Sequence, residues 1–386
     1  EQLLMIVSRF PYPLDKGDKL RAYYQLRKLS ENFRVTLVAL TDAKVSDESL
    51  EHVKKYCEKI EITPLTWFSK ISQMILCIFS SKPFQIGYFF RVKAKNKIKV
   101  LIKENDYKTI YNQLIRTSEY TKHIHHIPKT LDYMDALSVG IKRRIELQPF
   151  YKKWLFKIEA NRLSNYEREI FDYFEHSIII SEQEKKLIKH PESQNILCIP
   201  NGIDASFFNF PAIEKDADLV FTGNMSYPPN IEASKYIAEQ ILPELLGCKL
   251  LISGSSPSNS VKDLANENSA IELTGWVDDI RTSYARGKIF VAPMFIGTGM
   301  QNKLLEAMAM GLPCITTPLA NDAIKATNGK QIFVANTKEE FIKTAQELLN
   351  NEALRIEIGN NAKEFVQKNF SWITSTERLV ELLRRK

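Results

Sequence analysis

The chain has 386 residues, about two and a half times the roughly 150 residues of a common domain, so two domains are expected. Its 44% hydrophobic and 26% charged residues permit large apolar cores and exclude a disordered chain. Five scattered cysteines with no C-x-x-C pair exclude a disulfide framework and a zinc knuckle. The formal charge of +7 is uneven, since residues 1–200 hold 34 Lys and Arg against 24 Asp and Glu while residues 201–386 hold 19 against 22.

In chain order, the first apolar run is LLMIVS (3–8), and the loop PYPLDKGDKLR follows it. Gly17 there can bring backbone close to a phosphate or sugar, with Lys16, Lys19 and Arg21 supplying charge. Asp18 is equally suited to cap the next helix. The runs RVTLVAL (34–40) and KIEITPL (59–65) come next. Residues 51–100 then hold ten basic and three acidic side chains, with RVKAKNKIKV directly after SSKPFQIGYFF. A basic stretch beside aromatics suits an anionic membrane surface, or else a plain solvated helix face. No nucleic-acid motif accompanies it, so no nucleic-acid partner is expected. No run reaches the roughly 20 apolar residues of a membrane span, and the opening EQLLMIVSRF lacks the basic flank of a signal peptide. The expected location is the cytoplasm, at the inner face of the cell membrane if the basic stretch binds lipid.

The runs continue with KTIYNQ (108–113), followed by a loop carrying Arg116, and KTLDYM (129–134), followed by a loop carrying Asp135. Asp132 and Asp135 suit hydrogen bonding to ligand hydroxyls, or capping of a helix starting near Ser138. SIIIS (177–181) and ILCIP (196–200) complete the first half. The aperiodic stretch NGIDASFFNFPAIEKDA (201–217) reads as a linker. The second half repeats the alternation with DLVFTG (218–223), KLLISG (249–254), IELTG (271–275), KIFVAPM (288–294), PCITT (313–317) and QIFVA (331–335). Strand-length runs alternating with amphipathic stretches predict two doubly wound α/β domains, with ligands at the carboxyl ends of the strands. HIHH (123–126) has poor metal spacing, and Asp216 and Asp218 precede a strand rather than follow one, so no metal site is expected.

The segment KIFVAPMFIGTGMQNKLLEAMAMGLPCITT (288–317) reads as strand, glycine loop, helix, glycine stop and strand. Gly297 and Gly299 allow close backbone approach, and the helix N-terminus offers unpaired N–H groups to an anion. Lys303 lies in the first turn, where its ammonium can neutralise phosphate. Glu306, one turn on, can accept hydrogen bonds from two vicinal hydroxyls of a ribose. The plain alternative is an i,i+3 ion pair.

GTGMQNKLLEAMAMGLPCITT, IPNGID, LTGWVDDI and PYPLDKGDKLR together resemble the retaining glycosyltransferases of the GT-B fold, in particular glycosyltransferase family 4. The resemblance implies two Rossmann-like domains facing across a cleft: an acceptor domain at 1–208, a donor domain at 215–369, and a C-terminal helix at 370–386 crossing back to the first. It implies an enzyme that moves a sugar from a UDP- or GDP-sugar to a glycan or lipid-linked acceptor without a metal or cofactor, in surface polysaccharide assembly. Glu306 matches the family's ribose-binding glutamate, whereas Thr298 stands where its first glutamate is usual. The usual Arg and Lys after the first strand of the donor domain are missing from FTGNMSYPPN. Lys303, with Gly223, Asn224 and the helix terminus, then takes the diphosphate. Donor contacts are further implied for Gly254, Trp276, Val277, Met300 and Leu304. Trp276 packed under a turn is the alternative there. Asp132, Asp135 and Lys303 are the catalytic candidates, and Lys16, Gly17, Asp18, Arg21 and Arg116 the acceptor or phosphate loop. A nucleotide-sugar epimerase of the same fold and a non-catalytic nucleotide-sugar binder are the competing readings.

Overall fold

The computed structural model describes residues 1–146, 148–296 and 300–385. Among them, seven strands form one parallel sheet and six form another. The first sheet comprises β1 (Gln2–Val7), β2 (Arg34–Thr41), β3 (Lys59–Pro64), β4 (Tyr107–Gln113), β5 (Lys129–Asp132), β6 (His176–Ile179) and β7 (Leu197–Cys198). The second comprises β8 (Ala217–Thr222), β9 (Leu250–Ser253), β10 (Ile271–Leu273), β11 (Gly287–Ala292), β12 (Cys314–Thr316) and β13 (Phe333–Val334). The orders are β3-β2-β1-β4-β5-β6-β7 and β10-β9-β8-β11-β12-β13. Each sheet reverses direction of growth once, between β1 and β4 and between β8 and β11. Ligands of such sheets bind at the carboxyl ends of the strands at that switch.

The strands read as continuous apolar runs because helices cover both faces. β1 shows the consequence: Leu3, Met5 and Val7 enter one core, and Leu4 and Ile6 enter another on the opposite face.

Two compact units result, Asn201–Ser371 and the remainder, which joins Glu1–Pro200 to the chain from Trp372 onward. The boundary falls earlier than the 208 expected because the segment after Pro200 is tied into the second unit. Ile203 donates its N–H to Phe370 O, Lys363 donates to Phe208 O at 2.7 Å, and Arg281 lies 5.1 Å from the centre of the Phe210 ring. The helix Trp372–Arg384 belongs to the first unit, where Trp372 stacks on Tyr24 and Leu379, Leu382 and Leu383 enter the core with Leu26.

The aromatics of SSKPFQIGYFF do not form the exposed surface that the sequence suggested. Ile86 and Phe89 are buried, and Phe84, Tyr88 and Phe90 are half-buried. The exposed apolar residues lie on the preceding helix Trp67–Ile78 instead.

In the second unit, the helix Asn302–Ala309 is seated by the helix Glu352–Asn369. They meet at Gly359, where a Cβ would stand 2.1 Å from Gly311 O. Gly359→Ala is therefore expected to destabilise this unit by about 1–3 kcal/mol. That corresponds to a fall in melting temperature of about 2–4 °C per kcal/mol. An unchanged calorimetric melting temperature would refute this close packing.

Candidate functional site

At the switch point of the second sheet, two backbones cross in contact. Gly223 ends the β8 run with φ +155°, Gly254 ends the β9 run with φ +140°, and a Cβ on Gly254 would lie 1.8 Å from Gly223 O. Gly223 N–H donates to Ser253 O at 3.0 Å and Gly254 N–H to Gly275 O at 2.9 Å, so the ends of three strands are stitched together. No side chain fits at Gly254, which leaves main chain alone at the carboxyl edge of the sheet.

Lys303, in the first turn of Asn302–Ala309, reaches back to this edge. The residue as a whole is half-buried, but its Nζ end is enclosed, donating to Asn230 Oδ1 and lying 4.6 Å from the centre of the Phe221 ring. Burial pushes the ammonium down to about 7, and the Glu306 charge only partly offsets it. Among the described residues its hydrogen-bond partner is an amide oxygen, and Asn230 is itself held by donating from Nδ2 to Asn224 O at 2.9 Å. Asn224 also accepts from Ser226 N–H and Oγ through Oδ1. The helix that carries Lys303 begins at Gln301 without a side-chain cap. A buried ammonium beside uncapped helical N–H groups is an arrangement that stabilises an anion.

Glu306 is held from the opposite side. Tyr284, fully buried in the helix Ile280–Ala285, donates its hydroxyl to Glu306 Oε2 at 2.7 Å and contacts Thr222 Oγ1 at 2.7 Å. Burial raises the Glu306 pKa, while the Tyr284 hydrogen bond and Lys303 draw it down. Trp276, on the loop after β10, is 59% exposed, which removes the alternative of a tryptophan packed under a turn and leaves a flat surface for stacking. Val277 is half-buried beside it, and Met300 and Leu304 are buried. Gly297, Thr298 and Gly299 lie outside the described residues. Asn230, Tyr284 and Phe221 were missed by sequence reasoning. Only Asn230 had a signal, since the Pro228-Pro229 pair marks a helix start that puts it in the first turn.

The first unit has its own cluster at the carboxyl ends of β1, β4 and β5, and it corrects three expectations. Asp132 is 0% exposed, accepting from Arg21 Nε at 2.6 Å, Tyr111 Oη at 2.6 Å and Gln25 Nε2 at 3.3 Å. Arg21 is also 0% exposed. These two are therefore a buried structural pair rather than a catalytic acid and a phosphate-gripping arginine. Asp18 is a second correction: the helix Gly17–Leu29 is entered through Lys16, and Asp18 in its first turn pairs with Arg9. Neither Asp132 nor Asp135 caps the helix Leu137–Arg143. Glu184 takes the Ala136 N–H and Glu167 the Ser138 N–H instead.

Asp135 keeps the features of a working acid. Burial, reinforced by Glu184, raises it to about 7 against the pull of Arg116. Its Oδ1 is enclosed, with no hydrogen-bond partner among the described residues. Arg116 is lowered to about 10 by burial and by Arg9, donates to Gln85 Oε1 and lies 4.9 Å from the centre of the Phe89 ring. Lys16 and Gly17 are exposed at the entrance to the first helix.

Residues 216–351 match the family described as glycosyl transferases group 1. The chain is 21% identical, over 96% of both chains, to an uncharacterized 44.6 kDa protein in the cps region of Klebsiella pneumoniae. Over half of its length it is 26% identical to 54% of a UDP-Gal:alpha-D-GlcNAc-diphosphoundecaprenol alpha-1,3-galactosyltransferase of Escherichia coli. A sucrose-phosphate synthase from Thermosynechococcus elongatus superposes over 100% of this chain and 98% of its own, with a TM-score of 0.74 at 15% identity. The fold is GT-B, and it is within the second unit that the group 1 glycosyl transferase match falls.

Breaking a buried ion pair leaves its partner charged and uncompensated. Arg21→Met is expected to cost about 3–5 kcal/mol of stability in chemical denaturation, because Asp132 then lacks its counter-charge. A loss within experimental error would show that Asp132 is not held as described.

Proposed function

We propose that the protein transfers a hexosyl group from a UDP- or GDP-sugar to a glycan or lipid-linked acceptor. Transfer proceeds with retention of the anomeric configuration and without a metal ion, in the assembly of a surface polysaccharide. The observation that carries this reading is the Lys303 ammonium, buried against a neutral amide at the N-terminus of an uncapped helix. Such a cation is stabilised by an anionic guest, and a nucleoside diphosphate suits it. Its charge falls on Lys303, the helix N–H groups and the backbone at Gly223. Its ribose hydroxyls fall on Glu306, and its base on Trp276 and the Val277 backbone. The relative from Escherichia coli, whose name specifies UDP-galactose and a lipid diphosphate, supports this class of donor and acceptor.

In the transfer, the bond from the anomeric carbon to the diphosphate oxygen breaks and a bond to the acceptor hydroxyl oxygen forms on the same face. The acceptor proton passes to the departing diphosphate. Negative charge grows on that diphosphate as the bond stretches, where Lys303 and the helix dipole stabilise it more than they stabilise the intact donor. Fixed donors of this kind can replace a metal ion. Asp135, by its raised pKa, can meet a sugar or acceptor hydroxyl as a protonated donor below about 7.

Calorimetric titration with UDP-, GDP- and ADP-sugars, followed by product analysis with lipid-linked acceptors in the presence of a chelator, tests the reading. Lys303→Ala is expected to weaken nucleotide binding by about 10- to 100-fold, the worth of a charge-assisted hydrogen bond, and Glu306→Ala by about tenfold. Unchanged affinity in both variants would remove the donor site from this place.

The pH dependence has a definite sign. With the free ammonium near 7, a diphosphate raises it on binding, so the complex takes up a proton near pH 8. Nucleotide affinity should therefore fall as pH rises from about 7 to about 9, and titrations in buffers of different ionisation heat should show the uptake. Stability without ligand runs the other way. Between about 7 and the ordinary 10.5, the unfolded chain holds the extra proton, so Lys303 makes the unliganded protein more stable as pH rises.

A further inference from the structure

The helix Trp67–Ile78 in the first unit has eight apolar residues among its twelve, yet Cys77 is its one buried residue. Trp67, Phe68, Ile75, Leu76, Ile78 and the following Phe79 all face solvent, with Phe68 and Phe79 at 85% and 83% exposure. The helix is anchored through Cys77 and through Lys70, whose Nζ lies 4.9 Å from the centre of the Tyr88 ring. Gly87 has no side chain, and a Cβ there would lie 2.3 Å from Cys77 Sγ, so the thiol seats against the neighbouring helix Phe84–Phe89. A second exposed run starts beside it. Arg162, on the helix Phe150–Phe171, donates to Cys77 O at 2.7 Å, and Glu159 accepts from the Phe84 and Gln85 N–H groups. In the first turns of that helix Phe150, Tyr151 and Trp154 are exposed, Phe150 at 86%.

The sequence along these runs is basic, although Lys82 pairs with Glu119 and Lys153 with Glu146. Between Glu61 and Glu104 the sequence holds eight Lys and Arg and no acidic residue. The first nine residues of the second helix, FYKKWLFKI, hold three lysines and again no acid. At about 1.5 Å per residue, the 12-residue helix is roughly 18 Å long, well short of the roughly 30 Å hydrocarbon thickness, so it can lie in an interface but not cross it. No helix among the described residues is long and apolar enough to cross a membrane. A protein partner would be an awkward occupant, since protein interfaces are depleted in lysine. Lysines interleaved with large apolar side chains instead match anionic headgroups above acyl chains.

We infer that Trp67–Phe79 and the start of the helix Phe150–Phe171 form one surface that docks in the plane of an anionic lipid bilayer, the apolar side chains entering the acyl boundary and the lysines meeting the headgroups. The surface is independent of the donor site and does not rest on the proposed reaction.

The test is co-sedimentation of the full chain with vesicles of phosphatidylcholine, with and without about one-third phosphatidylglycerol, at low and high salt. The expected result is binding to the anionic vesicles that weakens with salt. A Phe68→Ser/Leu76→Ser/Phe79→Ser variant should lose at least about tenfold in vesicle affinity. Its melting temperature and nucleotide binding should be those of the parent, because these residues are exposed. Quenching of tryptophan fluorescence by brominated acyl chains, reduced by Trp67→Phe, gives a second readout that places the helix at acyl depth. Failure of the parent to bind anionic vesicles overturns the proposal, as does equal binding to pure phosphatidylcholine or unaltered binding by the triple variant. Dimerisation in light scattering that the triple variant abolishes, with no vesicle binding, overturns it and assigns the surface to a second copy of the chain.

Discussion

The candidate donor site depends on an ammonium that the protein buries and that, among the described residues, has no carboxylate to bond. Lys303 donates to the amide oxygen of Asn230 and faces the ring of Phe221, neither of which carries a full charge. Glu306, one helical turn away, is committed to Tyr284 and eases the penalty only in part. A charge enclosed in this way carries a desolvation cost that an incoming anion relieves. Other features of the second unit follow from holding it there. The Gly223–Gly254 backbone contact leaves no room for a side chain at Gly254, the Gly311–Gly359 contact fixes the helix, and Asn230 is immobilised by Asn224.

The sheets were legible in the sequence because their strands are buried on both faces, which writes them as unbroken apolar runs. Each of the thirteen runs, from LLMIVS to QIFVA, contains a strand or the core of one. The loops were less legible. Gly254 was singled out only through the resemblance, and its physical reason, a carbonyl of another strand 1.8 Å from where its Cβ would be, exists only in three dimensions. The same holds for Tyr284. Nothing around RTSYARG distinguishes a tyrosine that orients a glutamate from one that fills a core, yet it bridges Thr222 and Glu306.

In the first unit, chemistry-bearing residues proved to be partly architecture. Arg21 and Asp132 stand 111 positions apart in the chain, so no spacing rule pairs them. The fold brings them together because the helix after β1 passes the end of β5, and each then neutralises the other. The basic stretch misled in another way. Its aromatics were read as exposed because they precede a run of lysines, but Phe89 joins the core over β1 and β4, and the neighbouring Ile86 joins the core beside β5 and β6. The apolar residues left without a core are those of Trp67–Ile78, which composition alone would have buried.

The two switch points, alike in topology, treat charge in opposite ways. In the first sheet the basic groups near the crossing have carboxylates: Arg21 has Asp132, Arg9 has Asp18, and Asp135 contributes to the field at Arg116. In the second sheet the cation at the equivalent place has an amide. An anionic ligand entering the first cluster would have to compete with carboxylates already in place, and like-charge repulsion is costly at such distances. At the second it would replace a neutral partner and gain the full attraction of the ammonium. On the proposed reading, this asymmetry favours the second unit for an anionic ligand. It leaves the first unit with Asp135, a carboxyl held near neutrality, suited to hydroxyl-bearing molecules rather than to phosphate.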